Sequence, residues 1–166
     1  MNATLSYSTV GFFDFDIESA LDTIAAAGLR AVEILAHPPN LDPLPSGRAV
    51  NQFRRRLEQR GFVGWTMHSP MRRHCLGATD EEWRREVTER AIRYIEFAGA
   101  IGVSGLIIHP VPNPMFVPDS HAPDIPARMR LSVERSLDEL MPALERAGVR
   151  LLLENLPYRC NFPYLD

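Results

Sequence analysis

The stretch Leu151-Leu152-Leu153-Glu154-Asn155-Leu156-Pro157 decides how the chain reads. Three leucines follow Val149-Arg150, and a carboxylate with an amide beside it ends the run. A short apolar run bounded by Gly148 and Pro157 is the signature of a buried strand. A glutamate at the end of such a strand costs free energy unless the carboxylate has a partner. Two earlier strands end in the same way. Val63-Gly64-Trp65-Thr66-Met67 runs into His68-Ser69-Pro70, and Gly105-Leu106-Ile107-Ile108 runs into His109-Pro110. Three apolar strands thus each carry a metal-capable side chain at the C-terminal end, the rim where α/β folds place their chemistry.

The rest of the chain alternates around these strands. Leu5-Ser6-Tyr7-Ser8-Thr9 reads as a short first strand, and Ala31-Val32-Glu33-Ile34-Leu35 as the second. A helix from Asp16 to about Ala27 puts Ile17, Ala20, Leu21 and Ile24 on one face, and Gly28 ends it. A basic helix spans about Ala49 to Arg60. Thr79-Asp80-Glu81-Glu82 reads as a capping box, with Thr79 as cap, for a helix to about Ala100. The last helix covers about Ile125 to Ala147, with a kink expected at Pro142. Gly28-Leu29, Gly61-Phe62, Gly102-Val103 and Gly148-Val149 each separate a helix from the next strand. Such alternation implies right-handed crossovers and a parallel sheet. The period-2 pattern sets Glu33, His68, His109 and Glu154 on one face with Ala31, Thr66, Ile107 and Leu152. Val32, Ile34, Trp65, Met67, Leu106, Ile108, Leu151 and Leu153 fall on the other. A narrow polar face opposite a bulky one suits a barrel interior.

The totals close off several functions. A chain of 166 residues, 45% hydrophobic and 23% charged, is ordinary for one soluble globular domain. Its net charge of −3 gives no electrostatic reason to expect nucleic acid. All 18 basic residues are arginine, which excludes a Schiff-base or P-loop lysine within these residues. Cys75 and Cys160 fit no zinc or redox spacing and read as reduced thiols of a cytoplasmic protein. There is no signal-peptide pattern and no apolar run of membrane-spanning length.

Taken in order, Val32-Glu33-Ile34, His68-Ser69-Pro70, Ile107-Ile108-His109-Pro110 and Leu153-Glu154-Asn155 resemble the xylose-isomerase-like TIM-barrel superfamily. The likeness covers nearly the whole chain, and it lies in order and spacing rather than in any one motif. It implies an α/β fold of the (β/α)8 TIM-barrel type. Such a barrel takes about 250 residues, so the expectation is a single domain over residues 1–166 that stops after the fifth parallel strand. Open barrel edges would then invite self-association.

The superfamily includes sugar phosphate isomerase/epimerases and endonuclease IV-type nucleases of abasic DNA. In the first branch the resemblance makes Glu154 a ligand of a divalent metal (Mn, Mg, Co or Zn) beside the reacting carbon, and the catalytic carboxylate. His68 and His109 then line the pocket of a small sugar-like substrate, and Glu33 is a further candidate substrate contact. In the second branch His68, His109 and Glu154 ligate one zinc. Leu5-Ser6-Tyr7-Ser8 lacks the Gly-x-His-x-Ser look of the nucleases, which favours the isomerase branch. A third reading is a non-catalytic barrel fragment, and these 166 residues alone are expected to be inactive and to bind a divalent metal weakly. The remaining polar groups are expected to be bland. His37, His74 and His121 read as solvated loop side chains, and Arg54, Arg55 and Arg56 as the wet face of a helix. Arg72 and Arg73, just past the third-strand rim, offer a conceivable phosphate contact.

Overall fold

The computed structural model describes residues 4–38, 40–41, 44–70, 73–111, 117 and 122–154. The elements follow in strict alternation. Strand β1 is Ser6–Ser8, trailed by a 3-10 turn at Thr9–Phe12; helix α1 is Ile17–Ala26 and β2 is Ala31–Leu35. Then come α2 (Arg48–Gln59), β3 (Gly64–His68), α3 (Glu81–Ile101), β4 (Gly105–Ile108), α4 (Ile125–Ala147) and β5 (Arg150–Leu153). Every strand pairs in parallel with the next, in the spatial order β1-β2-β3-β4-β5. That is the order of barrel staves, reached because each helix carries the chain back over one side of the sheet.

The four helix-to-strand junctions turn on glycines in the left-handed region, Gly28 at φ 78°, Gly61 at 81°, Gly102 at 78° and Gly148 at 64°. Side chains with a Cβ rarely take this backbone. The helix starts are also legible, with one correction. Asp16 caps α1 by accepting the Ser19 N–H at 3.0 Å. At α3 the cap is Asp80, not Thr79: the Asp80 carboxylate accepts the Trp83 N–H at 2.9 Å. A carboxylate at the positive end of a helix outcompetes a hydroxyl one residue earlier. Helix α4 continues through Pro142, which is exposed.

The two faces of the sheet separate as the alternation predicts along β2, β3 and β4, but not on β5: Leu153, expected on the buried face, is 49% exposed and Leu151 only half-buried, because β5 is the edge strand of the described sheet. Val32, Ile34, Met67, Leu106 and Ile108 are fully buried beneath the helices. Ala31, Glu33, Gly64, Thr66, Ile107 and Leu152, on the opposite face, are only half-buried. Helices α3 and α4 pack closely; a Cβ on Gly99 would lie 2.8 Å from the Ala147 carbonyl oxygen. Between them the Arg84 guanidinium is buried and bridges Glu81 at 2.9 Å and Glu139 at 2.9 Å. Arg135 also reaches Glu81, at 3.0 Å. The Arg84 hydrogen bond, with help from Arg135, holds the Glu81 carboxyl down at about 2, against an ordinary 4.5. A depressed carboxyl stabilises the fold above its ordinary value, and that stability is lost as pH falls from about 4.5 to about 2. Glu81→Gln is therefore expected to lower the neutral-pH urea midpoint and to flatten its fall over that acid window. Parallel curves for the two proteins would show that the contact adds nothing.

Candidate active site

Two backbone ladders, β3 to β4 and β4 to β5, bring the strand ends together. Ser69 N–H donates to Ile107 at 2.9 Å and Glu154 N–H to Ile108 at 3.2 Å, so both connections continue their strands past the sheet proper. Residues 75–77 are tied by their backbone to the end of β4. Cys75 forms a parallel bridge with His109. Leu76 N–H donates to the His109 carbonyl at 3.1 Å, and Gly77 N–H to the Pro110 carbonyl at 2.6 Å. A Cβ on Gly77 would lie 2.7 Å from that same Pro110 oxygen, so the close approach depends on glycine.

This pairing corrects the expectation for His74. It is no solvated loop side chain: its exposure is 0%. Its ring stands edge-on to Tyr94 at 5.3 Å. Burial, reinforced by the Arg90 charge, pushes the imidazole down to about 3. The neighbouring Cys75 thiol is pushed up to about 12 by burial, so it is an inert packing group. His37 is half-buried, not fully solvated, with its ring 5.0 Å from Phe13. The Arg73 guanidinium lies over the Trp83 ring at 4.8 Å. Arg72, His121, Asn155 and Cys160 lie outside the described residues.

His68, His109 and Glu154 meet at the C-terminal rim of β3, β4 and β5. One ligand atom from each lies within 4.8 Å of the others. Glu154 Oε2 is 3.0 Å from His68 Nε2 and 3.4 Å from His109 Nε2, and the two rings stand edge to face at 5.1 Å. Both histidines are buried, while the glutamate side chain is 54% exposed on the open inner face. His68 Nδ1 lies 2.6 Å from the Ser69 carbonyl. A carbonyl only accepts, so Nδ1 carries a proton and donates, and this hydrogen bond fixes the ring. With that tautomer, His68 Nε2 turns a lone pair to a carboxylate oxygen. Two lone-pair donors this close require a proton or a cation between them. His109 is held below its ordinary value, chiefly by burial and then by His68, against the upward pull of Glu154. A neutral imidazole keeps its lone pair for a metal.

These residues fit a divalent ion. Around a tetrahedral ion with bonds of about 2.1 Å, neighbouring donors stand about 3.4 Å apart, close to the distances here. Two histidines and a glutamate form the kind of donor set that leaves a coordination position open. The Ser69 carbonyl supplies the outer hydrogen bond that ligating histidines make.

Glu33, the fourth sequence-derived candidate, stands apart from this cluster. Its register partner is Thr66, whereas His68 pairs with Leu35, so Glu33 sits deeper along the inner face. It accepts a hydrogen bond from the Ser8 hydroxyl at 2.6 Å. Ser8 and the Ser69 carbonyl are site groups that sequence reasoning did not single out. A backbone carbonyl has no residue signature, and Ser8 acquires its role only through strand register.

The xylose isomerase-like TIM barrel family model matches residues 21–164. The D-psicose 3-epimerase of Clostridium cellulolyticum H10 superposes with a TM-score of 0.74 at 17% identity, over 96% of this chain and 55% of that one. A D-tagatose 3-epimerase-like protein does so with a TM-score of 0.76 at 20% identity, over 97% and 55%. Endonuclease IV from Thermus thermophilus gives 0.59 at 22% identity, over 92% and 52%. At these identities the likeness is one of fold, and this chain spans just over half the length of each. No curated protein matches it in sequence. Among the described residues no helix is long and apolar enough to cross a membrane. The strand order, the rim cluster and a family match over nearly the whole chain lead to one conclusion: this chain belongs to the xylose isomerase-like TIM barrel family.

Proposed function

We propose that this site serves a metal-dependent isomerase or epimerase that moves a proton next to the carbonyl of a small sugar-like substrate. The observation that carries this reading is the meeting of His68, His109 and Glu154 at one strand-end rim, on the open inner face. A divalent cation held by these donors would polarise the oxygens of a bound hydroxyketone. Glu154 is the residue suited to take the proton. Its Oε2 faces the two histidines, while Oε1 has no hydrogen bond among the described residues. His68 is fixed by Ser69 and holds its ring against the substrate space. Glu33, bonded to Ser8, offers an acceptor for a sugar hydroxyl deeper along the face. The epimerase folds among the structural neighbours support this choice of substrate class.

The same three donors are also the zinc ligands that the resemblance gives to the nuclease branch. One experiment separates the two readings. The protein is incubated in D2O with Mn2+, Mg2+, Co2+ or Zn2+ and a panel of ketoses. Deuterium entering the carbon next to the carbonyl is the expected result. No exchange on any ketose, together with zinc-dependent cleavage of abasic-site DNA, would transfer the assignment to the nuclease branch.

A further inference from the structure

A cavity of about 700 Å3 lies on the helical side of the sheet, between the β2–α2 connection and the second half of α3. None of the rim residues lines it. We propose that it is a second ligand site, for an organic anion: a phosphate or carboxylate on an apolar body. Leu44, Val50 and Phe97 give it apolar walls, and Arg90 and Arg93 stand at it from α3. The two arginines are three residues apart, so they present their guanidinium groups on one helical face. Both are exposed, and neither makes an ion pair or hydrogen bond among the described residues; the charge of Arg90 is felt only as a repulsion at His74. Several other arginines are committed: Arg54 to Glu58, Arg60 to Glu18 and Asp22, and Arg84 to Glu81 and Glu139. Glu96 is the acidic group of the lining, and it pairs with neither arginine.

The occupant follows from these features. A neutral apolar molecule would fill the walls but gain nothing from the two guanidinium groups, which would stay with solvent. An inorganic anion would answer the charge and leave the walls wet. A molecule with both parts satisfies both, since guanidinium groups bind carboxylate and phosphate in paired hydrogen bonds. The volume is that of an ordinary small-molecule site.

The test is a 1H–15N NMR titration with octyl phosphate and octanoate, with 1-octanol and inorganic phosphate as controls. The expected result is saturable shifts at amides of residues 44–50 and 90–100. At least one of the two anions should bind roughly tenfold more tightly than either control. The tighter of the two identifies the headgroup. Arg90→Ala with Arg93→Ala should weaken that binding by roughly tenfold while leaving the circular dichroism spectrum unchanged, because both side chains are exposed. Equal binding of 1-octanol, an unchanged affinity in the double variant, or no saturable shift from any probe would overturn the assignment.

Discussion

Glu154→Gln is expected to weaken divalent-metal binding at the rim by about 100-fold or more, and with it the proton transfer proposed above, while leaving the fold intact. Among the described residues it is the acidic group of the cluster, and both histidines point a ring nitrogen at the same carboxylate oxygen, at 3.0 and 3.4 Å. The amide keeps the shape and the backbone hydrogen bond to Ile108 but removes the negative charge. Changes even to the groups that orient a ligand commonly cost 10- to 100-fold in affinity or activity, so losing a ligand should cost at least about 100-fold. Competition with a metal-binding dye for Zn2+ and Mn2+ measures the first effect, and deuterium exchange on a ketose measures the second. His109→Asn separates the roles. If His109 holds the ion, metal affinity falls as far as in Glu154→Gln; if it only lines the substrate pocket, affinity stays and KM rises. Unchanged metal affinity and unchanged activity in Glu154→Gln would remove this residue from the site.

The second large effect belongs to His74. Its imidazole is fully buried, and neither ring nitrogen makes a hydrogen bond to another described residue. Burial, and then Arg90, hold it at about 3, against an ordinary 6.5. Protonation therefore favours the unfolded chain, which binds the proton more readily. Stability contributed by keeping this ring neutral is fully present above about 6.5 and is lost as pH falls toward about 3. The slope is about 1.4 kcal/mol per pH unit, or about 2 kcal/mol between pH 6.5 and 5. His74→Phe keeps a ring against Tyr94 and removes the titration. Its urea-derived stability should match or exceed that of the parent at pH 8, where burying a polar ring is a burden. It should also fall less between pH 6.5 and 5, by about 2 kcal/mol. If both proteins lose stability equally on acidification, the ring is not the acid-sensitive group.

The elements of this fold were legible because their signals are local. Glycine closes helices at Gly28, Gly61, Gly102 and Gly148 through its own backbone freedom. The period-2 pattern assigns faces, and the burial of Val32, Ile34, Met67, Leu106 and Ile108 follows it. That His68, His109 and Glu154 stand at strand ends could likewise be read from where each apolar run stops. At α3 the sequence offers two caps, Thr79 and Asp80, and the structure uses the second. The choice between them depends on which residue the incoming chain sets at the helix end.

The sequence by itself determined the alternation of strands and helices, the buried face of β2, β3 and β4, and the three side chains carried at the rim. All of these depend on neighbours within a few residues along the chain. Only the tertiary structure decided that Glu154 sets one oxygen against both histidines, that the Ser69 carbonyl fixes the His68 ring, and that Glu33 turns to Ser8 instead of joining the cluster. The Glu154 and Glu33 contacts depend on strand register, which places residues 25 and 86 positions apart within hydrogen-bonding distance; the Ser69 contact joins neighbours in sequence and is set by the backbone turn leaving β3. His74 shows the same division. Its surroundings read as a polar loop, yet the pairing of Cys75 with His109 carries the segment into the core. The reason is that a short parallel bridge is made by backbone groups, and backbone groups are the same in every residue.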